Sequence, residues 1–451
     1  MKYKILFWVS ICFCFVYSTK AQKEIIMEFN NFDDFAASAE LTVWKNGEEF
    51  ILLKDTVINN RIIFNVPDSV NPGMFNVKFY GNLPLNEIRI IYDGKNQTVI
   101  LYAISDMFKI SVKGGGETEK YYTAKNLSDS LLQRIINFQH LLNNYNREEE
   151  FAKTILNCIN KEIKMIDNIY REQNEIHKGS MFLSYFNAER NFIPDIGDLK
   201  DNIVAKAIEH YFDFFDPLDT LLWNSYLIVS KTENFLTLAL KNTEGTREEN
   251  IKKAVDNYMN RIISSDRAVN TIANIMRKWL NKYGFETIME YIDIQYLSAQ
   301  CDAGQDFNLQ DRLEAYKRLA PGKTAPEITW MGFDKNIYML SKLQANKKII
   351  IFWATWCPNC EELLPKIYKY LSDKPDIKVV AIALDESKKP WEDIIKSFSG
   401  WYHLRAVEKW QDETVKTYAV SATPVIYIID SSNKIQKKVS NWDDFILEIN
   451  K

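Results

Sequence analysis

The chain changes hydrophobic period twice. Residues 23–113 hold short apolar-rich runs, ELTVWK, EFILL, RIIFNV, MFNVKFY, EIRIIYD, QTVILYA and MFKISV, several of them alternating. Turn chemistry separates them at Asn46-Gly47, Asn59-Asn60, Pro72-Gly73 and Asp93-Gly94. Period two with such turns predicts an antiparallel β-sandwich over 23–116, ended by Gly114-Gly115-Gly116 as a flexible joint. From 120 to 318 glycine and proline become rare and apolar residues recur every three or four positions. In ILNCINKEIKMIDNIY the residues Ile155, Cys158, Ile159, Ile163, Ile166 and Ile169 fall on one stripe, which makes Cys158 a core residue of an amphipathic helix. KNTEGTREEN reads as an interhelical loop with Thr246 capping the helix that starts at Arg247. The reading is an all-helical domain over 120–318.

APGKTAPEI stops that domain with two prolines and a glycine. Beyond it strands and helices alternate. KKIIIFW, IKVVAIAL, PVIYIID and KIQKKV are strands, and EELLPKIYKYL, WEDIIKSF, ETVKTYA and WDDFILEI are helices. Alternation of this kind predicts an α/β sheet covered on both faces over 320–451.

The first residues alter the compartment. Lys2 and Lys4 precede an apolar core from 5 to 18, and Thr19-Lys20-Ala21 offers a small-x-small cleavage site. That is a secretory signal peptide, 1–21, since fourteen residues fall short of the ~20 needed to span a bilayer. No later stretch is long and apolar enough to span one, so an exported, periplasmic protein without a transmembrane segment is expected. Removal of 1–21 takes three lysines and no acids, moving the formal charge from −4 to −7. With no basic patch, nucleic acid is not an expected partner. About 430 remaining residues imply several domains. Four cysteines remain, Cys158, Cys301, Cys357 and Cys360, too few for a disulfide-stapled scaffold.

The pair in WCPNC is the candidate chemistry. Cys357 sits where a strand turns into a helix, so unpaired N–H groups and the helix dipole favour its thiolate. Pro358 and Asn359 let Cys360 lie one turn inward, to attack a mixed disulfide formed on Cys357. This chemistry asks for an exposed first sulfur and a sheltered second. A zinc half-site would need a second close pair, but His140, His177, His210 and His403 are scattered singly. A structural disulfide closing so short a loop would add little stability. In SATPVIYIID, Pro424 begins a buried strand. A cis Thr423–Pro424 bond accommodates it and leaves the Thr423 backbone free to pair with an extended substrate.

These residues resemble the thioredoxin superfamily, and more closely the exported thiol–disulfide oxidoreductases of the TlpA/ResA type. The likeness runs from about 320 to 451 through APEI, FWATWCPNC, Pro365, ALDES, YAVSATP and YIIDSSNKI. The 67 positions between Cys357 and Pro424 suit the extra strand-helix insertion of that type. The resemblance implies Cys357 as nucleophile, Cys360 as resolving thiol, and Trp356, Pro358, Thr423 and Pro424 as substrate contacts. It implies disulfide-bearing or dithiol proteins of the envelope as partners, an upstream electron donor, and no nucleotide, flavin or metal. The front domains resemble an arrangement seen in exported Bacteroidota proteins. Two acids that help move the resolving proton in these families are replaced by Ile351 and Leu363. Glu362 and Asp385 are the candidate substitutes, both expected as solvated surface acids. A peroxiredoxin would place Thr three before a lone cysteine, whereas Thr355 lies two before Cys357. The alternative from a different class is a partner-binding scaffold in which the redox domain is accessory, with HYFDFFDPLDTLLW as a possible aromatic groove.

Overall fold

The computed structural model describes residues 23–30, 37–81, 86–104, 109–146, 148–194, 200–297 and 307–451. The expected signal peptide and Cys301 lie outside them. The chain forms two compact units, Met1–Asn187 with Trp223–Ser225, and Ala188–Leu222 with Tyr226–Lys451.

Among the described residues the first unit holds eight strands, β1 (Lys23–Asn30), β2 (Ala37–Lys45), β3 (Glu48–Thr56), β4 (Arg61–Val66), β5 (Gly73–Gly81), β6 (Glu87–Tyr92), β7 (Gln97–Ile104) and β8 (Lys109–Gly114). They form two four-stranded sheets, β4-β1-β7-β8 and β3-β2-β5-β6. Alternation sends Ile25, Met27 and Phe29 of β1 into one core with Leu41, Val77, Ile90 and Leu101. The pairing is antiparallel except that β1 and β7 run parallel, so the sandwich is mixed where pure antiparallel pairing was expected. Runs that alternate cannot specify which neighbour they pair with.

The glycine run is a packed turn instead of the expected flexible joint. Gly114 has φ +74°, and a Cβ there would lie 2.3 Å from the Thr98 carbonyl oxygen. Its N–H donates to Glu119 Oε2 at 2.9 Å. Helix α1 (Glu117–Leu142) follows at once, and its Thr118 hydroxyl accepts from the Ile91 N–H of β6 at 2.9 Å. Helices α2 (Glu150–Ile176) and α3 (Phe182–Glu189) come next. On α2, Ile155, Ile159 and Ile166 are buried, and Cys158, Ile163 and Ile169 half-buried.

The second unit joins helices to the α/β domain. It contains α4 (Lys200–Glu209), α5 (Tyr226–Lys241), α6 (Arg247–Ile262), α7 (Asp266–Tyr283), α8 (Glu286–Ile292) and α9 (Phe307–Arg318). Thr246 caps α6 in a full capping box: its hydroxyl accepts from the Glu249 N–H, and the Glu249 carboxylate accepts from the Thr246 N–H. Thr246→Ala is expected to cost about 1 kcal/mol and Thr246→Ser very little, as read by denaturant unfolding. The aromatic stretch after α4 contributes Tyr211 and Phe215 to the core. Tyr211, Phe212 and Phe215 pack around Phe235 and Tyr258, with Tyr211 and Phe212 each 4.9 Å from Phe235.

The remaining elements are β9 (Thr329–Met331), β10 (Ile337–Met339), β11 (Lys347–Trp353), α10 (Pro358–Leu371), β12 (Ile377–Ala383), α11 (Lys388–Ile395), β13 (Tyr402–Arg405), α12 (Glu413–Thr417), β14 (Val425–Asp430), β15 (Ile435–Val439) and α13 (Trp442–Ile449). Five strands form one sheet in the order β13-β12-β11-β14-β15. β12 runs parallel to β11 and to β13, whereas β14 is antiparallel to β11 and β15 to β14. Ile349–Trp353 and Val425–Ile429 are buried on both faces, which is why their sequence is continuously apolar. The hairpin β9–β10 and the edge strand β13 carry no comparable signal. They are three or four residues long, and β13 is half-buried throughout.

Candidate functional site

β11 ends at Trp353 beside the end of β12, where Leu384 N–H donates to the Trp353 carbonyl at 2.8 Å. The turn Ala354–Cys357 then carries the chain into α10. Asp385 holds this turn: its carboxylate accepts from the Thr355 N–H at 3.1 Å and the Thr355 hydroxyl at 2.7 Å. Trp356 Nε1 donates to the Leu384 carbonyl at 3.3 Å, and its ring, half exposed, meets Trp410 edge-on at 6.2 Å.

Cys357 is the N-cap of α10, and Pro358 fills the first helical position, where its missing N–H costs nothing. The Cys357 sulfur accepts from the Cys360 N–H at 3.2 Å, as a capping side chain does. The Thr423–Pro424 bond is cis, and the Thr423 carbonyl accepts from the Cys357 thiol at 3.3 Å. Residues 66 positions apart therefore meet at one sulfur.

The two sulfurs differ in acidity. The Cys360 thiol donates to Cys357 and is the main reason its pKa falls to about 6. Burial opposes the shift, while the Thr423 side chain and the N–H groups of Cys360 and Asn359 reinforce it. Burial, then the neighbouring Cys357 thiolate, pushes the Cys360 thiol far above the ordinary range. Alkylation of the reduced protein by iodoacetamide is thus expected at Cys357, with a midpoint near pH 6. In Cys360→Ala that midpoint should climb toward an ordinary thiol's, since the principal donor is gone. A midpoint unmoved by the substitution would contradict the pairing.

Accessibility departs from expectation. Cys357 is 6% exposed against 1% for Cys360, so both are sheltered, because the Thr423 carbonyl closes over the first sulfur. Cys360 instead lines a cavity of about 550 Å³ with Ala354, Glu361, Leu364, Tyr368 and Phe398. Of the two candidate acids, both expected as solvated, only Asp385 departs from expectation. Asp385 is 4% exposed, buried under the turn it fastens rather than solvated. Glu362 lies on the outer face of α10, paired with Lys366 at 2.6 Å, which lowers its pKa. Neither is among the partners of a sulfur. Glu361, in the cavity beside Cys360, carried no sequence signal beyond adjacency. Ile351 and Leu363 are both buried, so the sites of the two missing acids are apolar. Among the described residues, no group of three or more His, Cys, Asp or Glu could hold a metal ion.

Residues 347–435 match the thioredoxin-like family model. The thiol–disulfide oxidoreductase ResA of Geobacillus thermodenitrificans is 24% identical over 124 residues, covering 27% of this chain and 70% of that protein. ResA of Bacillus cereus is 26% identical over 129 residues, covering 27% of this chain and 71% of its own. Residues 347–435 are thus thioredoxin-like, and the relatives they resemble are named thiol–disulfide oxidoreductases. A crystal structure of a thioredoxin-like protein from Bacteroides caccae aligns over 57% of this chain and 95% of its own, at 16% identity and a TM-score of 0.38. Within the thioredoxin-like domain the element order β11-α10-β12-α11-β13-α12-β14-β15-α13 puts Cys357 at the start of α10 and Pro424 immediately before β14. Because β14 is the antiparallel neighbour of β11, strand pairing alone brings the two loops to the same sheet end.

Proposed function

We propose that the chain is an exported thiol–disulfide oxidoreductase that exchanges dithiol for disulfide with proteins of the cell envelope. The observation that carries this reading is a helix-capping Cys357 with a pKa near 6, paired with a buried, weakly acidic Cys360. The Cys357 thiolate attacks one sulfur of a substrate disulfide, forming a mixed disulfide and releasing one substrate thiol. Cys360 then loses its proton and attacks the Cys357 sulfur. That closes the 357–360 disulfide and releases the second thiol. An upstream dithiol supplies two electrons and two protons to restore the pair.

Trp356, Pro358, Thr423 and Pro424 are assigned to substrate contact, with the Thr423 backbone pairing an extended segment. We assign the resolving proton to Glu361, which shares the Cys360 cavity, and give Asp385 the role of positioning the turn. Glu362 is left on the outer face with Lys366. The same reading keeps a signal peptide at 1–21, a β-sandwich over 23–116, helices over 120–318 and the redox domain over 320–451. No helix among the described residues is long and apolar enough to cross a membrane.

Cys360→Ser tests the proposal. Without the resolving thiol, mixed disulfides on Cys357 persist, so envelope proteins should be recovered covalently and released by dithiothreitol. Recovery of non-covalent partners only would favour the scaffold alternative.

A further inference from the structure

The helical part of the second unit reaches the redox centre. Helix α7 ends at Gly284, whose left-handed φ of +76° turns the chain into α8. A Cβ on Gly284 would stand 3.5 Å from the side-chain amide of Asn359, the residue between the two cysteines. Tyr283 and Phe285, on either side of that turn, line a cavity of about 210 Å³ with Asn359, Pro424, Ser440 and Trp442. Pro424 follows the residue whose carbonyl touches Cys357, and Asn359 lies between the two cysteines, so the cavity is walled by the redox loops.

Three observations say what the cavity takes. Its rings are set in place: Trp279 holds Tyr283 at 4.4 Å and Phe285 at 6.2 Å, and Trp442 packs on Phe445 at 6.0 Å. Its charges balance, with Arg247 and Lys366 against Glu362 and Asp443, so nothing selects a charged group. Ser440 lines it at 5% exposure, and its hydroxyl has no hydrogen-bond partner among the described residues. A buried hydroxyl without a partner is costly unless something supplies one.

The wall is also fastened. Glu286, the first residue of α8, accepts from the Ser421 N–H at 3.4 Å and the Ser421 hydroxyl at 3.3 Å, in the loop leading to Pro424. Lys438 of β15 donates to the same carboxylate oxygen at 3.0 Å. Helical turn and proline loop are thereby tied to one buried charge.

We propose that this cavity is a substrate subsite for a neutral aromatic side chain bearing a hydrogen-bonding group, as tyrosine does, close to the reacting cysteine. The proposal rests on the oxidoreductase reading and narrows its substrate class. The helical segment is then a specificity element of the exchange site.

The test uses the full chain and disulfide-linked peptides whose residues flanking the cysteine are Tyr, Phe or Ala. Wild type should reduce the Tyr peptide with kcat/KM about tenfold above the Ala peptide, with Phe between them. Tyr283→Ala should bring the Tyr and Ala values together, and Ser440→Ala should remove the gap between Tyr and Phe. Equal rates on all three peptides with wild type, or ratios unchanged in both variants, would overturn the subsite. Hydroxyethyl disulfide, too small to engage the cavity, reads the exchange chemistry separately. Turnover of it without peptide discrimination sinks the subsite alone, whereas no turnover of it sinks the oxidoreductase reading and the subsite together.

Discussion

Cys357→Ser is expected to abolish dithiothreitol-driven reduction of insulin disulfides, by at least about a thousandfold. The attacking species is a thiolate, and the hydrogen bonds around residue 357 outweigh its burial to make one. The capping position supplies the Cys360 N–H, the Cys360 thiol donates to it, and the pKa falls to about 6. A serine there keeps the cap and remains a neutral hydroxyl at any pH the protein survives. The fold should therefore be intact while exchange is lost, which circular dichroism and the insulin assay together resolve. Cys360→Ser should lose net turnover as well, yet keep the first half of the reaction as a trapped mixed disulfide. If Cys357→Ser reduced insulin as fast as wild type, the chemistry would have to lie elsewhere in the chain.

The second large effect concerns stability. Lys438→Met is expected to destabilise the second unit by about 3–5 kcal/mol, on the order of 10 °C in melting temperature. The Lys438 side chain is 10% exposed and Glu286 is 3% exposed, and the two are paired at 3.0 Å, with Glu290 at 3.8 Å. Burial, the largest single influence, works against the ammonium, but Glu286, Tyr427, Glu290 and Tyr316 together overcome it and raise the lysine's pKa. Burial likewise raises the pKa of Glu290. Removing the lysine leaves Glu286 charged and enclosed with no counterion. Adding Glu286→Gln to Lys438→Met should recover much of the loss at neutral pH. A single-variant loss below about 1 kcal/mol would mean water reaches the pair and screens it.

Much of the arrangement was legible along the chain because it rests on local rules. Apolar runs between turns marked β2 to β8, the 3.6-residue period marked α2, and continuous apolar runs marked β11, β12 and β14, whereas β1 went unmarked. Thr246 was readable as a cap because Glu249 follows at the required spacing. WCPNC at a strand–helix junction pointed to an activated thiol, and the Thr–Pro pair to the loop that meets it. Short edges such as β13 were not legible, since four half-buried residues have no period to detect. The parallel β1–β7 pair was hidden because a strand's pattern states which face is buried, not which strand lies beside it.

By itself the sequence determined most of the elements and singled out Cys357 and Cys360 as the candidate pair, since helix caps, turns and periodicity act within a few residues. Only the tertiary structure decided how open those sulfurs are, that Asp385 fastens a turn, and that Tyr283, Phe285 and Glu286 border the redox loop. Those outcomes depend on residues distant along the chain being brought together, and nothing local encodes which ones meet.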